Sequence, residues 1–230
     1  MKKLGLFGGS FKPFTTGHFA KLALALEEND EVMLFYTISI RDKAGVVITR
    51  EMSYDIYEIM SNSLLSKYGD KLKIKISNPT PVVNIFQEIE KVKNNKSDFT
   101  NINVYGSEDI YETYIGSIIG KQTRKHEDKE EKYYGNLYSS GILKFNILSD
   151  SANDIKRLTE ILKNSGHVGD LKEKTLIRGT QIRQFVQNKD IDGIINYLPA
   201  LLTSEEKNQI VEILFSNIKP TLAGLLPHVG

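Results

Sequence analysis

The sequence predicts an α/β fold in which a parallel five-stranded sheet carries helices on both faces and a helical cap closes the C-terminal end. Three observations predict it. Short apolar runs alternate with stretches of helical periodicity, the runs end in glycine or turn residues, and the 230-residue chain suffices for one substantial domain. Apolar residues at 40% and charged residues at 26% are ordinary for a globular protein.

Leu4 to Gly8 is an uninterrupted apolar run closed by glycines, the pattern of a strand covered on both faces. From Gly17, Phe19, Leu22, Ala23 and Leu26 recur at helical spacing. Val32 to Thr37 reads as the second strand, and Thr49 as the cap of a helix with Ile56, Ile59, Met60 and Leu64 on one stripe. Leu72 to Ile76 is the third strand, with lysines on its other face. Asn78 to Pro81 breaks the chain, and Val82, Ile85, Phe86, Ile89 and Val92 mark the next helix. Ile102 to Tyr105 is the fourth strand, a helix follows from about Asp109, and Ile142 to Leu148 is the fifth strand. This succession gives a doubly wound, Rossmann-like sheet with right-handed crossovers. Its ligand site is expected beyond the carboxyl ends of the strands, where the winding reverses.

Residues 1–188 form the α/β domain in this reading, and 189–230 a helical extension packed on it, with Ile210, Val211, Ile213, Leu214 and Ile218 as its stripe. Residues 121–136 are expected to be a mobile loop, because Lys121 to Lys132 is almost wholly charged and lacks apolar period. A net charge of +1 commits the chain to neither nucleic acid nor anionic membrane. With no cysteine, disulfides and thiolate metal sites are excluded. The apolar run near Met1 is too short for a signal core or a membrane span, so the expected location is the cytoplasm. Self-association is left open.

Between the first strand and helix lies Gly8-Gly9-Ser10-Phe11-Lys12-Pro13-Phe14-Thr15-Thr16-Gly17-His18. Glycines at a strand end let backbone amides approach an anion and allow positive φ. The following helix start offers unpaired N–H groups and positive dipole to phosphate oxygens. Thr15 adds a hydroxyl, His18 an imidazole and Lys12 a mobile cation. The spacing fits neither a Walker loop nor the Gly-x-Gly-x-x-Gly dinucleotide turn. The stretch resembles the nucleotidyltransferase signature Gly-x-Phe-x-Pro-x-[His/Thr]-x-Gly-His. That superfamily includes the nicotinamide and nicotinate mononucleotide and phosphopantetheine adenylyltransferases and the cytidylyltransferases. Thr15 stands where many members carry histidine; the phosphopantetheine adenylyltransferases that the stretch resembles also use threonine there.

A second stretch, Thr175 to Arg183, opens a later helix, with Thr180 as its candidate cap. Its Ile177, Gly179, Thr180, Ile182 and Arg183 resemble the superfamily's Ile-Ser-x-Thr-x-[Ile/Val]-Arg, in which a helix start, a hydroxyl and an arginine bind the β- and γ-phosphates. Arg178 stands where serine is usual. The two motifs lie about 160 residues apart, each at a helix start.

The resemblance implies ATP as substrate, magnesium carried on the substrate without a protein cage, and a phosphorylated small-molecule acceptor, nicotinamide or nicotinate mononucleotide first. A cytidylyltransferase using CTP and a nucleotide-binding module without turnover are the alternatives. His18, Thr15, Lys43 and Arg183 are the catalytic candidates. Gly8, Gly9, Ser10, Phe11, Lys12, Gly17, Gly106, Asp109, Ile177, Arg178 and Thr180 join His18 and Arg183 as nucleotide-binding candidates. Arg41 accompanies Lys43 after the second strand, and Arg50 is a candidate for the acceptor phosphate. His126, His167 and His228 lack partners at catalytic spacing and are expected at the surface.

Overall fold

Leu4, Leu6 and Phe7 are all buried in β1 (Lys3–Gly9), because its run of apolar residues has layers on both sides. The computed structural model describes residues 2–43, 46–78, 80–106 and 135–216. After β1 come α1 (Thr16–Glu28), β2 (Glu31–Tyr36) and a small ribbon of β3 (Arg41–Lys43) and β4 (Val46–Ile48). Then follow α2 (Arg50–Tyr68), β5 (Leu72–Ile76), α3 (Pro81–Lys93) and β6 (Asn101–Gly106). The rest comprises α4 (Gly135–Ser139), β7 (Leu143–Ile147), α5 (Ala152–Asn164), α6 (Leu171–Leu176), α7 (Gly179–Asn188), α8 (Ile191–Tyr197) and α9 (Ser204–Phe215).

Five strands form one sheet in the order β5-β2-β1-β6-β7, and every neighbouring pair is parallel. The chain starts at the centre, winds out through β2 and β5, then returns to β6 on the other side of β1. The winding therefore reverses between β1 and β6, the place where such sheets leave a crevice. One face packs Phe7, Val32, Leu34 and Tyr36 against α1, α2, α5 and the C-terminal helices. The other packs Leu4, Leu6, Phe35, Ile102 and Val104 against Ile85 and Ile89 of α3.

Local chemistry sets the helix ends. Thr49 Oγ1 accepts the Met52 N–H at 3.2 Å, and α2 stops at Gly69, whose φ of +52° suits glycine. Thr80 caps α3, which opens with Pro81. In α9, Ile210, Val211 and Leu214 are buried, and Ser63 Oγ of α2 donates to Glu206 at 2.6 Å.

The structure departs from the sequence reading in several places. The β3–β4 ribbon is a separate two-stranded antiparallel sheet that the reading did not include. Helix α5, capped by Ser151 and buried through Leu158, Ile161 and Leu162, was likewise absent from it. Gly135 and Asn136 open α4 and so do not belong to a loop. The charged stretch Lys121 to Lys132, the helix expected from Asp109 and Ile218 all lie outside the described residues. His167 is buried, not superficial: its Nε2 accepts the Ala200 N–H at 2.9 Å and its ring packs 5.2 Å from that of Phe19. His126 and His228 lie outside the described residues. Among the described residues no helix is long and apolar enough to cross a membrane.

Candidate active site

The glycines that end β1 are required by packing. A Cβ on Gly8 would sit 2.7 Å from Pro81 Cβ, and one on Gly9 would sit 2.6 Å from the Phe11 ring. Neither glycine has positive φ; Phe11 does, at +40°, an unusual conformation for a residue with a side chain. It is over-determined by its surroundings. The Phe11 ring lies 5.0–5.6 Å from those of Phe7, Phe14, His18 and Tyr36, and the Tyr36 hydroxyl donates to the Phe11 carbonyl. Burial, with Tyr57 adding to it, raises the Tyr36 pKa and keeps that donor protonated.

Helix α1 begins with a reciprocal cap. Thr15 Oγ1 accepts the His18 N–H at 3.4 Å, and the Thr15 N–H donates to His18 Nδ1 at 3.0 Å. An Nδ1 that accepts a backbone N–H carries no proton, so the partner assigns the proton to Nε2. Burial, then the positive charges of Lys21 and Arg178, lower the His18 pKa to about 3. His18 as a whole is only partly buried, because one edge opens on a cavity, and that opening moderates the desolvation. At neutral pH the ring is a neutral N–H donor. Thr15 itself is 1% exposed and does not line the cavity. Its hydroxyl, expected at the phosphate, holds His18 instead.

The cavity, about 310 Å³, lies at the sheet's winding reversal. Gly8 to Pro13, Gly17 and His18 form one side, and Thr175 to Gly179 with Arg183 form the other. Gly106 at the end of β6 and Leu148 to Asp150 after β7 close it. The two motifs thus share one space. They also touch directly: a Cβ on Gly17 would stand 2.9 Å from the Thr175 carbonyl oxygen.

Among the described residues five cationic side chains line the cavity, Lys12, Lys21, Arg41, Arg178 and Arg183, against one carboxylate, Asp150. Lys12 is not the mobile cation expected. It is 7% exposed, and its ammonium donates to Ser39 Oγ at 2.7 Å and to the Ser39 carbonyl. Burial, then Arg41, lower its pKa to about 8. Arg183 Nη2 donates to Thr180 Oγ1 at 2.9 Å, while its buried Nε meets no acceptor among the described residues. Its pKa too is lowered, by burial first and then by the neighbouring charge of Arg41. Arg178 is exposed and paired with Asp150 at 2.6 Å. It is also the cap residue of α7, which places Thr180 inside the first turn, not at the cap. Ile177 and Ile182 anchor this stretch in a small core with Tyr197.

Lys43 ends β3 opposite Val46, and its side chain is outside the described set, as is Asp109. Arg41, at the start of the same strand, lines the cavity. Two charged lining residues escaped the sequence reading. Lys21 follows His18 by three positions and so shares its helix face, a signal that was available. Asp150 meets Arg178 through the fold alone.

No protein-family model matches the chain, and no curated protein sequence matches it. Solved structures do. A Plasmodium falciparum nicotinic acid mononucleotide adenylyltransferase complexed with NaAD aligns at 14% identity and a TM-score of 0.52, covering 95% of this chain and 100% of that one. The same enzyme complexed with APC aligns with a TM-score of 0.50 at the same identity and coverage. At this identity the likeness establishes a shared fold, an α/β architecture around a parallel five-stranded sheet, and nothing about activity.

Proposed function

We propose that the chain transfers the adenylyl group of ATP to a phosphorylated acceptor, with nicotinamide or nicotinate mononucleotide as the leading candidates, and releases pyrophosphate. One observation carries the reading: a neutral imidazole N–H donor and five cations converge on a single cavity at the winding reversal. Such a surround suits a polyanion better than a neutral or cationic ligand. The fold shared with a mononucleotide adenylyltransferase supports the same reaction class.

In this reaction an acceptor phosphate oxygen attacks the α-phosphorus. A new P–O bond forms, the bond from the α-phosphorus to the α–β bridging oxygen breaks, and its electron pair leaves on pyrophosphate. The chain supplies no nucleophile; catalysis is positioning plus charge stabilisation. His18 Nε2–H meets the oxygens on which charge develops, and it loses no donor strength to titration near pH 7. Arg183, braced by Thr180, and Lys21 and Arg41 hold the β- and γ-phosphates. A magnesium ion would neutralise triphosphate charge and be held by phosphate oxygens and water, since Asp150 is engaged by Arg178.

The experiment is incubation with α-labelled ATP and a panel of phosphorylated acceptors. The expected result is label in a dinucleotide and stoichiometric unlabelled pyrophosphate. Label in free AMP alone, or activity with CTP in place of ATP, would replace this reading.

A further inference from the structure

Thr16, the first residue of α1, is fully buried, and its hydroxyl donates to the Tyr197 carbonyl at 2.9 Å across 181 positions of chain. A helical threonine ordinarily bonds the carbonyl one turn back, and at the first position no such turn exists. The acceptor has a matching need. Tyr197 ends α8, and the last carbonyls of a helix have no partner within it. Each group meets in the other the partner that its own helix lacks.

The side chain of Tyr197 reaches the second motif. Its ring stacks on that of Phe185 at 5.6 Å and 11°, and it shares a small core with Ile177 and Ile182. Its hydroxyl donates to Glu173 of α6, the helix that leads into Ile177. One residue of the C-terminal extension thus holds the His18 helix start by its backbone and the Arg183 helix by its ring. The close approach of Gly17 to Thr175 is a second tie between the same two stretches. Neither Thr16 nor Tyr197 lines the cation-lined cavity, so both act on it through other residues.

Resting on the adenylyl-transfer reading, we infer that Tyr197 is a positioning residue, which sets His18 against Arg183 through the Thr16 hydroxyl on one side and the Phe185 stack on the other. The His18 donor must fall within hydrogen-bond reach of an oxygen whose place is fixed by the phosphates that Arg183 holds. A misplacement of about 1 Å at such a point costs about 10²-fold in rate. The long arms of Arg183, Lys21 and Arg41 can follow a shift of that size, so turnover suffers more than binding.

The test reads kcat and ATP affinity in Thr16→Val, which fills the same space without a donor. A fall in kcat of about tenfold is expected, with the ATP Kd changed by less than about threefold. Thr16→Ser keeps the hydroxyl and should restore kcat. In a His18→Ala background the valine should cost less than about twofold more, because it acts through the imidazole. Thr16→Ala, which leaves a water room at the carbonyl, is read in the same way if the valine variant does not fold. Equal losses in both backgrounds, a loss that serine does not restore, or an ATP Kd that moves as much as kcat overturns the inference.

Amide exchange followed by NMR needs no turnover. Tyr197→Leu keeps the carbonyl that Thr16 binds but removes the stack. It should speed exchange at Ile182, whose N–H donates to the Arg178 carbonyl, and also at Phe19, whose N–H donates to the Thr15 carbonyl. Faster exchange at Ile182 alone overturns the inference. If no acceptor is labelled yet both amides respond, the tie stands and the transfer reading falls.

Discussion

In Gly8–His18 the chemistry is buried and tied; in Ile177–Arg183 it is carried by longer, less buried arms, the exposed Arg178 and the half-buried Arg183. Thr15, Lys12, Phe11 and Phe14 are all less than a tenth exposed, and His18 is locked by its own helix cap. Across the cavity, Arg178 and Thr180 are exposed, and Arg178 is paired with a residue from the turn after β7. The difference separates two tasks. A group that must present one N–H to a developing charge gains from rigidity, because the donor is aimed before the charge appears. Groups that grip and release a leaving polyanion gain from long, partly hydrated arms. The first side is therefore expected to control turnover and the second side affinity.

The largest effect should come from His18. His18→Ala removes the neutral donor and should lower kcat by about 10²–10³-fold with little change in ATP affinity. A variant that keeps kcat and loses affinity would erase the contrast between the two sides. Arg183→Ala is the mirror case. Loss of a charge-assisted contact should raise the ATP Kd by about 10–100-fold, read by nucleotide titration, with a smaller change in kcat.

Gly17→Ala probes the contact that joins the sides. Its Cβ would stand 2.9 Å from the Thr175 carbonyl, and backbone must shift to admit it. A loss of about 1–3 kcal/mol is expected in denaturant unfolding, with kcat and Kd both impaired. An unchanged protein would mean that the motifs are not mutually braced.

Lys12 gives a pH signature. With its pKa lowered to about 8 by burial and Arg41, the free amine loses its proton as pH rises through 8. A bound triphosphate favours the ammonium, so binding takes up a proton above pH 8, and affinity falls there by at most about tenfold per pH unit. Below about pH 7 this group contributes no pH dependence. Calorimetry in buffers of different ionisation enthalpy should detect uptake at pH 8.5 in the native chain and none in Lys12→Met.

The same contrast explains what was legible in the sequence. Glycines that packing demands, a cap at Thr15 and apolar runs of strand length are local, so the parallel sheet and both motifs can be read from spacing. The α5 stripe, Ile155, Leu158, Ile161 and Leu162, was equally readable in principle. The two three-residue strands of the β3–β4 ribbon are too short to show a period. The hold of Ser39 on Lys12 and of Asp150 on Arg178 joins residues 27 and 28 positions apart, and nothing local announces either. His167 sits in the polar stretch Asn164-Ser-Gly-His, which hides its burial under α1.

The smallest effect should come from the one departure in the second motif. Arg178 and Asp150 are 56% and 61% exposed, and an ion pair so hydrated is worth about 0–1 kcal/mol. Serine at this position would lose that pair but supply a hydroxyl to cap α7, where the arginine donates only its backbone N–H, to Gln181 at 2.7 Å. The two changes are of similar size and opposite sign. Arg178→Ser should therefore leave the unfolding midpoint nearly unchanged. The ATP Kd should rise by less than about fivefold, the equivalent of about 1 kcal/mol. It should also free Asp150, so added magnesium should change ATP affinity more in the variant than in the native chain. A tenfold loss of affinity would instead make Arg178 a phosphate ligand on a par with Arg183, and the exposed side of the cavity would then be no looser than the buried one.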